Sequence, residues 1–121
     1  VMRKGDELPR VPADASFSAL MREMSAKSLG ASTVVDAEGH LLGIFTDGDL
    51  RRRIESGAEL LKAKASEVMH TTPRTIRPEV LAADAAALME EHSITSVLVT
   101  DEQGTLLGMV HIGDLMRAKV I

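Results

Sequence analysis

Phe17, Leu20, Met21 and Met24 recur at i, i+3, i+4 and i+7, a one-sided apolar stripe that predicts a helix. Asp14 and Ser16 precede it as N-cap candidates, and Gly30 sets its expected end. Before it, Leu8-Pro9-Arg10-Val11-Pro12 reads as extended, because two prolines exclude a helix and suit only an edge strand. After it, the β-branched run Thr33-Val34-Val35 and the apolar run 41–46 flank the turn Asp36-Ala37-Glu38-Gly39, a hairpin signature. Residues 47–56 then read as a helix closed by Gly57.

The pattern restarts at Val68-Met69, which repeats Val1-Met2. Arg74-Thr75-Ile76-Arg77-Pro78 is the second extended segment. Leu81, Ala85, Leu88, Met89 and His92 share a helix face. Residues 96–99 and 106–111 form a second hairpin about Asp101-Glu102-Gln103-Gly104, and 112–119 a last helix. Each half thus reads β-α-β-β-α, over residues 1–57 and 68–121, joined by a charged, alanine-rich connector at 58–67 that is helical or irregular. A unit of about 55 residues struggles to bury enough surface alone. The expected architecture is therefore α+β, two pseudo-symmetric repeats packed face to face, with the apolar stripes and most methionines assigned to the core.

Composition narrows the function classes. A formal charge of −4 argues against non-specific nucleic-acid binding, and Phe17 and Phe45, the only aromatic residues, make no base-stacking platform. No apolar run approaches the roughly 20 residues of a membrane span, and no signal peptide is visible. The absence of cysteine suits a reducing, cytoplasmic setting. Val1-Met2-Arg3 carries no start signal, so the expectation is a piece of a longer protein. His40, His70, His92 and His111 lack metal-ligand spacing, Asp47-Gly48-Asp49 alone is too few hard ligands for a divalent cation, and no nucleophile motif occurs. The sequence therefore offers no catalytic residue, no metal site and no obligatory cofactor.

The chemistry is concentrated where the hairpin's second strand turns into a helix: Gly43-Ile44-Phe45-Thr46-Asp47-Gly48-Asp49-Leu50-Arg51-Arg52, and its relative Gly108-Met109-Val110-His111-Ile112-Gly113-Asp114-Leu115-Met116-Arg117. This two-copy G-h-h-T-x-x-D pattern resembles a CBS domain pair, or Bateman module, over essentially the whole chain. The phrases Met2-Arg3-Lys4-Gly5-Asp6-Glu7-Leu8-Pro9 and His92-Ser93-Ile94-Thr95-Ser96 are more specific. They are similar to the C-terminal CBS pair of D-arabinose 5-phosphate isomerases of the Kdo (lipopolysaccharide) pathway, in which a sugar-isomerase domain precedes the pair. No sequence of that catalytic domain is present here, so this chain alone is not expected to be an enzyme.

The resemblance implies nucleotide binding between the repeats, with the motif Thr and Asp contacting phosphate and ribose. The residues fit that chemistry. A helix N-terminus favours anions, the Thr46 hydroxyl donates to a phosphate oxygen, and Asp49 accepts from ribose hydroxyls. On local sequence Asp47 and Asp49 read first as capping residues without a ligand, and only the whole-chain resemblance shifts the weight to binding. The second corner departs from the pattern, with His111 for Thr and Ile112 for Asp47, while Asp114 is kept. His111 is then a structural group at a strand end, an adaptation to a different anion, or a group facing the ligand of the first site across the cleft.

Arg52 has a counterpart in Arg117 and reads as structural; Arg51, opposite Met116, reads as particular to the first copy. Arg10 and Lys27 are further anion-partner candidates. The candidate ligand-binding set is thus Thr46, Asp47, Asp49, Arg51, His111 and Asp114. The expected function is a regulatory nucleotide or nucleotide-sugar sensor (CMP-Kdo, CMP, AMP or ATP) attached to an N-terminal isomerase domain. The alternative is a structural platform for a homodimer or higher oligomer through Leu50, Ile54, Leu115 and Met116.

Overall fold

The computed structural model describes residues 2–80 and 82–119; Val1 and Leu81, which enter the repeat and helix-face readings above, lie outside them. The described elements are β1 (Arg10–Pro12), α1 (Phe17–Lys27), β2 (Ala31–Val35), β3 (Leu41–Thr46), α2 (Asp47–Glu55), α3 (Ala65–Val68), β4 (Thr75–Ile76), α4 (Ala82–His92), β5 (Ser96–Thr100), β6 (Leu106–His111) and α5 (Ile112–Arg117). They form a mixed α+β structure with two three-stranded sheets, ordered β1-β2-β3 and β4-β5-β6. In each sheet the first pair is parallel and the second antiparallel. A parallel neighbour requires a crossover, which α1 and α4 supply, and the antiparallel pair needs only the hairpin turn.

Contacts divide the chain into two compact units, Pro9–Thr72 on the one hand, and the segment up to Leu8 together with that from Pro73 onward on the other. In the first unit, Ser16 caps α1 by accepting from the Ala19 N–H at 3.0 Å. Phe17, Leu20 and Met24, the predicted stripe, are buried. The helix ends earlier than the expected Gly30: Ser28 adopts the left-handed conformation (φ 55°) and its N–H returns to the Met24 carbonyl. Val11, Val34 and Phe45 complete this core from the sheet. The Phe17 and Phe45 rings meet edge to face, with centroids 6.1 Å apart.

The connector is part of this core. Leu60, Ala65 and Val68 are buried in the same cluster, and their backbone is tied in by hydrogen bonds from Phe17 N–H to Ala63 O, Ala65 N–H to Ala15 O and Ser66 N–H to Ala13 O. Its apolar residues are spaced too irregularly, and α3 is too short, for a periodic signal to show in the sequence. The second unit has its own cluster, including Ala85, Met89, Val97, Val99, Val110 and Leu115. Polar atoms inside are provided for: the Thr33 hydroxyl donates to Pro9 O at 2.7 Å, and no buried side-chain polar atom among the described residues lacks a partner.

The segments that lead each repeat are exchanged. His70 forms a two-way backbone bridge with Ile44 on β3 (2.7 and 3.0 Å), whereas Arg3 forms the equivalent bridge with Met109 on β6 (2.7 and 2.9 Å). Glycine makes this approach possible. A Cβ on Gly43 would lie 2.6 Å from the His70 carbonyl oxygen and 2.8 Å from Met69 Sδ. One on Gly108 would lie 2.7 Å from the Arg3 carbonyl oxygen and closer still to the Met2 side chain.

Because a backbone carbonyl cannot step aside as a side chain can, Gly43→Ala and Gly108→Ala should each cost about 1–3 kcal/mol. Gly48→Ala, in the first turn of α2 and nearest the flexible Arg52 guanidinium at 3.4 Å, should instead stabilise by about 0.5–1 kcal/mol. Urea unfolding measures all three; equal effects at Gly43 and Gly48 would remove the close-approach explanation.

Candidate functional site

The first corner is built by β3 running into α2. Thr46 is extended (φ −116°, ψ 166°) and its Oγ1 accepts from the Asp49 N–H at 3.1 Å. Asp49 Oδ2 accepts from the Thr46 N–H at 3.0 Å, closing a capping box. Asp49 Oδ1 accepts from Arg52 Nη2 at 2.6 Å, a pair whose arginine side chain is 70% exposed. Partial burial, the largest influence on Asp49, pushes its carboxyl up, but the bonds from Arg52 and Thr46 outweigh it and hold it below the ordinary carboxylate range. The residues read as ligand groups are therefore also the cap. Capping occupies a lone pair of Thr46 Oγ1 but leaves its O–H proton to donate, and an ionised Asp49 retains lone pairs beyond the two in use.

A pocket of about 370 Å³ opens beside this corner, bordered by Asp49, Arg52, Arg53, Ser56, Met69 and His70. Arg53 also donates to the Val68 carbonyl at 3.3 Å, which fixes its stem against α3. His70 Nε2 lies 3.1 Å from both the carbonyl oxygen and the hydroxyl of Thr72. Asp47 and Arg51 do not line the pocket. Asp47 is exposed, its N–H donates to Gly30 O at 2.9 Å, and its carboxylate abuts Gly30, where a Cβ would come within 3.0 Å. Arg51 is exposed and makes no hydrogen bond or ion pair among the described residues. Lys27 pairs with Glu23 at 3.2 Å, and the Arg10 N–H donates to the same carboxylate.

The second corner uses the same backbone and different chemistry. His111 is the N-cap of α5, its Nδ1 accepting from the Gly113 N–H at 3.0 Å, which leaves the proton on Nε2. Burial, with smaller help from Arg3 and Arg117 and against Asp114, lowers the His111 pKa, as a group that must stay neutral to accept requires. Asp114 closes no capping box. It receives Arg3 Nε at 2.9 Å and Nη2 at 3.0 Å, a bidentate pair, and also Arg117. The Arg3 bond is the main cause of its lowered pKa. Arg52 and Arg117 make the same i,i+3 pair, one in each corner.

Comparison of the two corner motifs does not reach Arg3, Arg53, Ser56 or His70, because none of them lies within the repeated stretch. The signal that could have found two of them is the match of Val1-Met2-Arg3 with Val68-Met69-His70, which puts Arg3 and His70 at equivalent positions. On the helices expected to make oligomer contacts, Leu115 is fully buried and cannot offer the apolar surface expected of it, Leu50 is half-buried against the core, and Ile54 and Met116 are 62% and 60% exposed. Elsewhere, Asp36, Glu38 and His40 converge with ligand atoms within 4.8 Å. Asp36 there accepts from the Glu38 and His40 N–H groups, both at 2.9 Å, and Asp101 does the same for Gln103 and Thr105, which stand in the places of Glu38 and His40. The shared feature is the hairpin turn. Among the described residues no helix is long and apolar enough to cross a membrane.

Two α+β units, each with a strand-to-helix corner whose first turn is acidic, define a tandem CBS architecture. The chain belongs to the CBS domain family, whose model matches residues 1–56 and 65–121. Over its whole length it is 43% identical to the arabinose 5-phosphate isomerase KdsD of Yersinia pestis, and it spans 37% of that protein. Solved structures that share the fold include the following two. The putative acetoin utilization protein AcuB of Vibrio cholerae is 24% identical, covering 98% of this chain and 86% of that one at a TM-score of 0.84. The CBS domain protein PAE2072 of Pyrobaculum aerophilum, complexed with AMP, is 20% identical, covering 95% and 86% at 0.80. These findings bear out the resemblance carried by the corner motifs and the α+β class.

The two carboxylates should differ in what they contribute to stability. Asp114 has a depressed native pKa, so its contribution is present above the unfolded value near 4 and is lost as pH falls through the native one. Asp114→Asn should cost roughly 2 kcal/mol at pH 7 and less in acid, the gap to the parent chain closing as pH falls through the depressed native pKa. Asp49→Asn, whose cation is an exposed neighbour, should cost under about 1 kcal/mol. Denaturant midpoints at neutral and acid pH test this; a pH-independent Asp114 deficit would show that its charge is not what matters.

Proposed function

We propose that this chain is the regulatory module of an arabinose 5-phosphate isomerase, and that it binds a nucleotide or nucleotide-sugar at the first corner. The observation that carries this is the pocket beside α2, in which one carboxylate, two guanidinium groups and an imidazole meet: Asp49, Arg52, Arg53 and His70. Asp49 suits a ribose diol, the arginines suit phosphate or carboxylate oxygens, and the Thr46 hydroxyl and α2 N-terminus add donors. The whole-length match to an isomerase supports the attachment, and the fold shared with an AMP-complexed protein supports the ligand class. The isomerase chemistry belongs to sequence beyond these 121 residues, and a cytoplasmic setting goes with that role. CMP-Kdo, with a cytidine, a phosphodiester and a carboxylate, is the candidate feedback ligand; AMP and ATP are the alternatives.

Calorimetry with CMP-Kdo, CMP, AMP and ATP should give saturable heat with at least one of them. Asp49→Ala should weaken that binding at least tenfold and Asp114→Ala much less. Silence with all four removes the sensor reading, and equal losses would make the corners equivalent.

A second reading, compatible with the first, is favoured by the exposed Ile54 on α2 and Met116 on α5. These apolar side chains would seat against a second copy of the chain. Sedimentation should then show a concentration-dependent dimer that Ile54→Glu and Met116→Glu weaken; a strictly monomeric species at high concentration would dispose of it.

A further inference from the structure

The two corners are equivalent in backbone and differ in what reaches their carboxylates. Each α-helix places an aspartate at its third position and an arginine three residues on: Asp49 with Arg52, Asp114 with Arg117. Each closing strand carries a bridged leader residue beside it, His70 on β3 and Arg3 on β6. His70 is turned to Thr72 and borders an open pocket. Arg3 is not turned away. Its Nε and Nη2 take one oxygen each of Asp114, and Arg117 takes a share of the second.

We propose that Arg3 is the residue that closes the second corner, an internal cation docked on the one carboxylate there able to receive a diol, so that the chain binds nucleotide once rather than twice. The inference rests on the first-corner reading above.

The energetic asymmetry follows from geometry. Asp49 is held by a backbone N–H, already required by the cap, and by one exposed arginine, an interaction readily exchanged for a ligand. Asp114 is held by a bidentate guanidinium whose backbone is itself locked by the two Met109 hydrogen bonds. Its Asp and Arg side chains are only 14% and 26% exposed. A ligand diol would have to replace two parallel bonds from a cationic guanidinium with bonds from neutral hydroxyls to the same carboxylate, giving up the ion pair. His111 adds to the closure. Its lone pair is spent on the Gly113 N–H, and it offers no hydroxyl where Thr46 does.

The test is binding stoichiometry per folded chain, by calorimetry and equilibrium dialysis with AMP and with CMP as probes. The parent chain should bind one equivalent. R3H/H111T, which copies the first corner's His and Thr into the second, should bind a second equivalent, about tenfold weaker because Ala118 stands where Arg53 does. That equivalent should disappear when Asp114→Ala is added and persist when Asp49→Ala is added. Arg3→Gln with His111→Thr, which keeps the side-chain length and removes the charge, runs in parallel, and melting curves establish that each variant is folded.

Two equivalents in the parent chain, or no Asp114-dependent gain in either folded variant, would overturn the inference while leaving the first site intact. A parent chain that binds neither probe bears on the first-corner reading instead, which fails when CMP-Kdo and ATP are silent as well. The Arg3 inference then stands or falls on whether the variants acquire Asp114-dependent binding.

Discussion

In each unit a two-residue leader lies against the closing strand of the hairpin through a reciprocal pair of backbone hydrogen bonds, and a glycine on that strand makes room for it. Gly43 admits Met69 and His70; Gly108 admits Met2 and Arg3. The leader of one repeat in sequence thereby belongs to the unit formed by the other, which is why Pro9–Thr72 is a contact unit although the repeats in sequence begin earlier and end sooner. The covering leader supplies the residue that stands beside the corner carboxylate. Exchange of leaders therefore decides which side chain, histidine or arginine, each corner receives.

The corner itself illustrates how one pair of residues meets two demands. A Thr and an Asp three apart form a capping box whether or not a ligand is present, and a cap is worth about 1 kcal/mol. That is enough to account for Thr46 and Asp49 structurally. It does not exhaust them, because a hydroxyl that accepts still donates, and a carboxylate with two partners still has lone pairs. At the second corner His111 takes over the cap with a ring nitrogen, and Asp114, relieved of that duty, is claimed by Arg3. The same backbone thus pairs Asp49 with the cap and Arg52, and Asp114 with Arg3 and Arg117.

Much of this is legible in the chain. The β-α-β-β-α order, a cap at Asp14 or Ser16 (Ser16 in the fold), both hairpin turns and the two corners follow from periodicity and turn chemistry, which are local and survive folding unchanged. What escapes is non-local. The bridges between Arg3 and Met109, or His70 and Ile44, join residues whose pairing no alternation specifies, since an extended segment of two or three residues carries no face of its own. The connector hides its role for a related reason: Leu60, Ala65 and Val68 reach the core from turns and a four-residue helix, so their burial has no period. Motif position alone points to Arg51, whereas the pocket is bordered by Arg52 and Arg53, the latter braced on the Val68 carbonyl of that same hidden connector.

The charge at the first corner bears on what it can hold. Arg52 and Arg53 face a single carboxylate there, a surplus of about one positive charge even before His70 is considered. An uncharged sugar would leave that surplus uncompensated, and a ligand with many negative charges would face Asp49 as well as the arginines. A ribose that engages Asp49 through neutral hydroxyls, followed by a phosphate placed against the arginines, satisfies both signs at once. The sequence separation of Asp49 from Arg52 and Arg53 on one short helix sets those two subsites within about a single turn of each other. On the proposed nucleotide reading, that spacing suits a ribose and one phosphate, and any further anionic group of CMP-Kdo or ATP would lie beyond it.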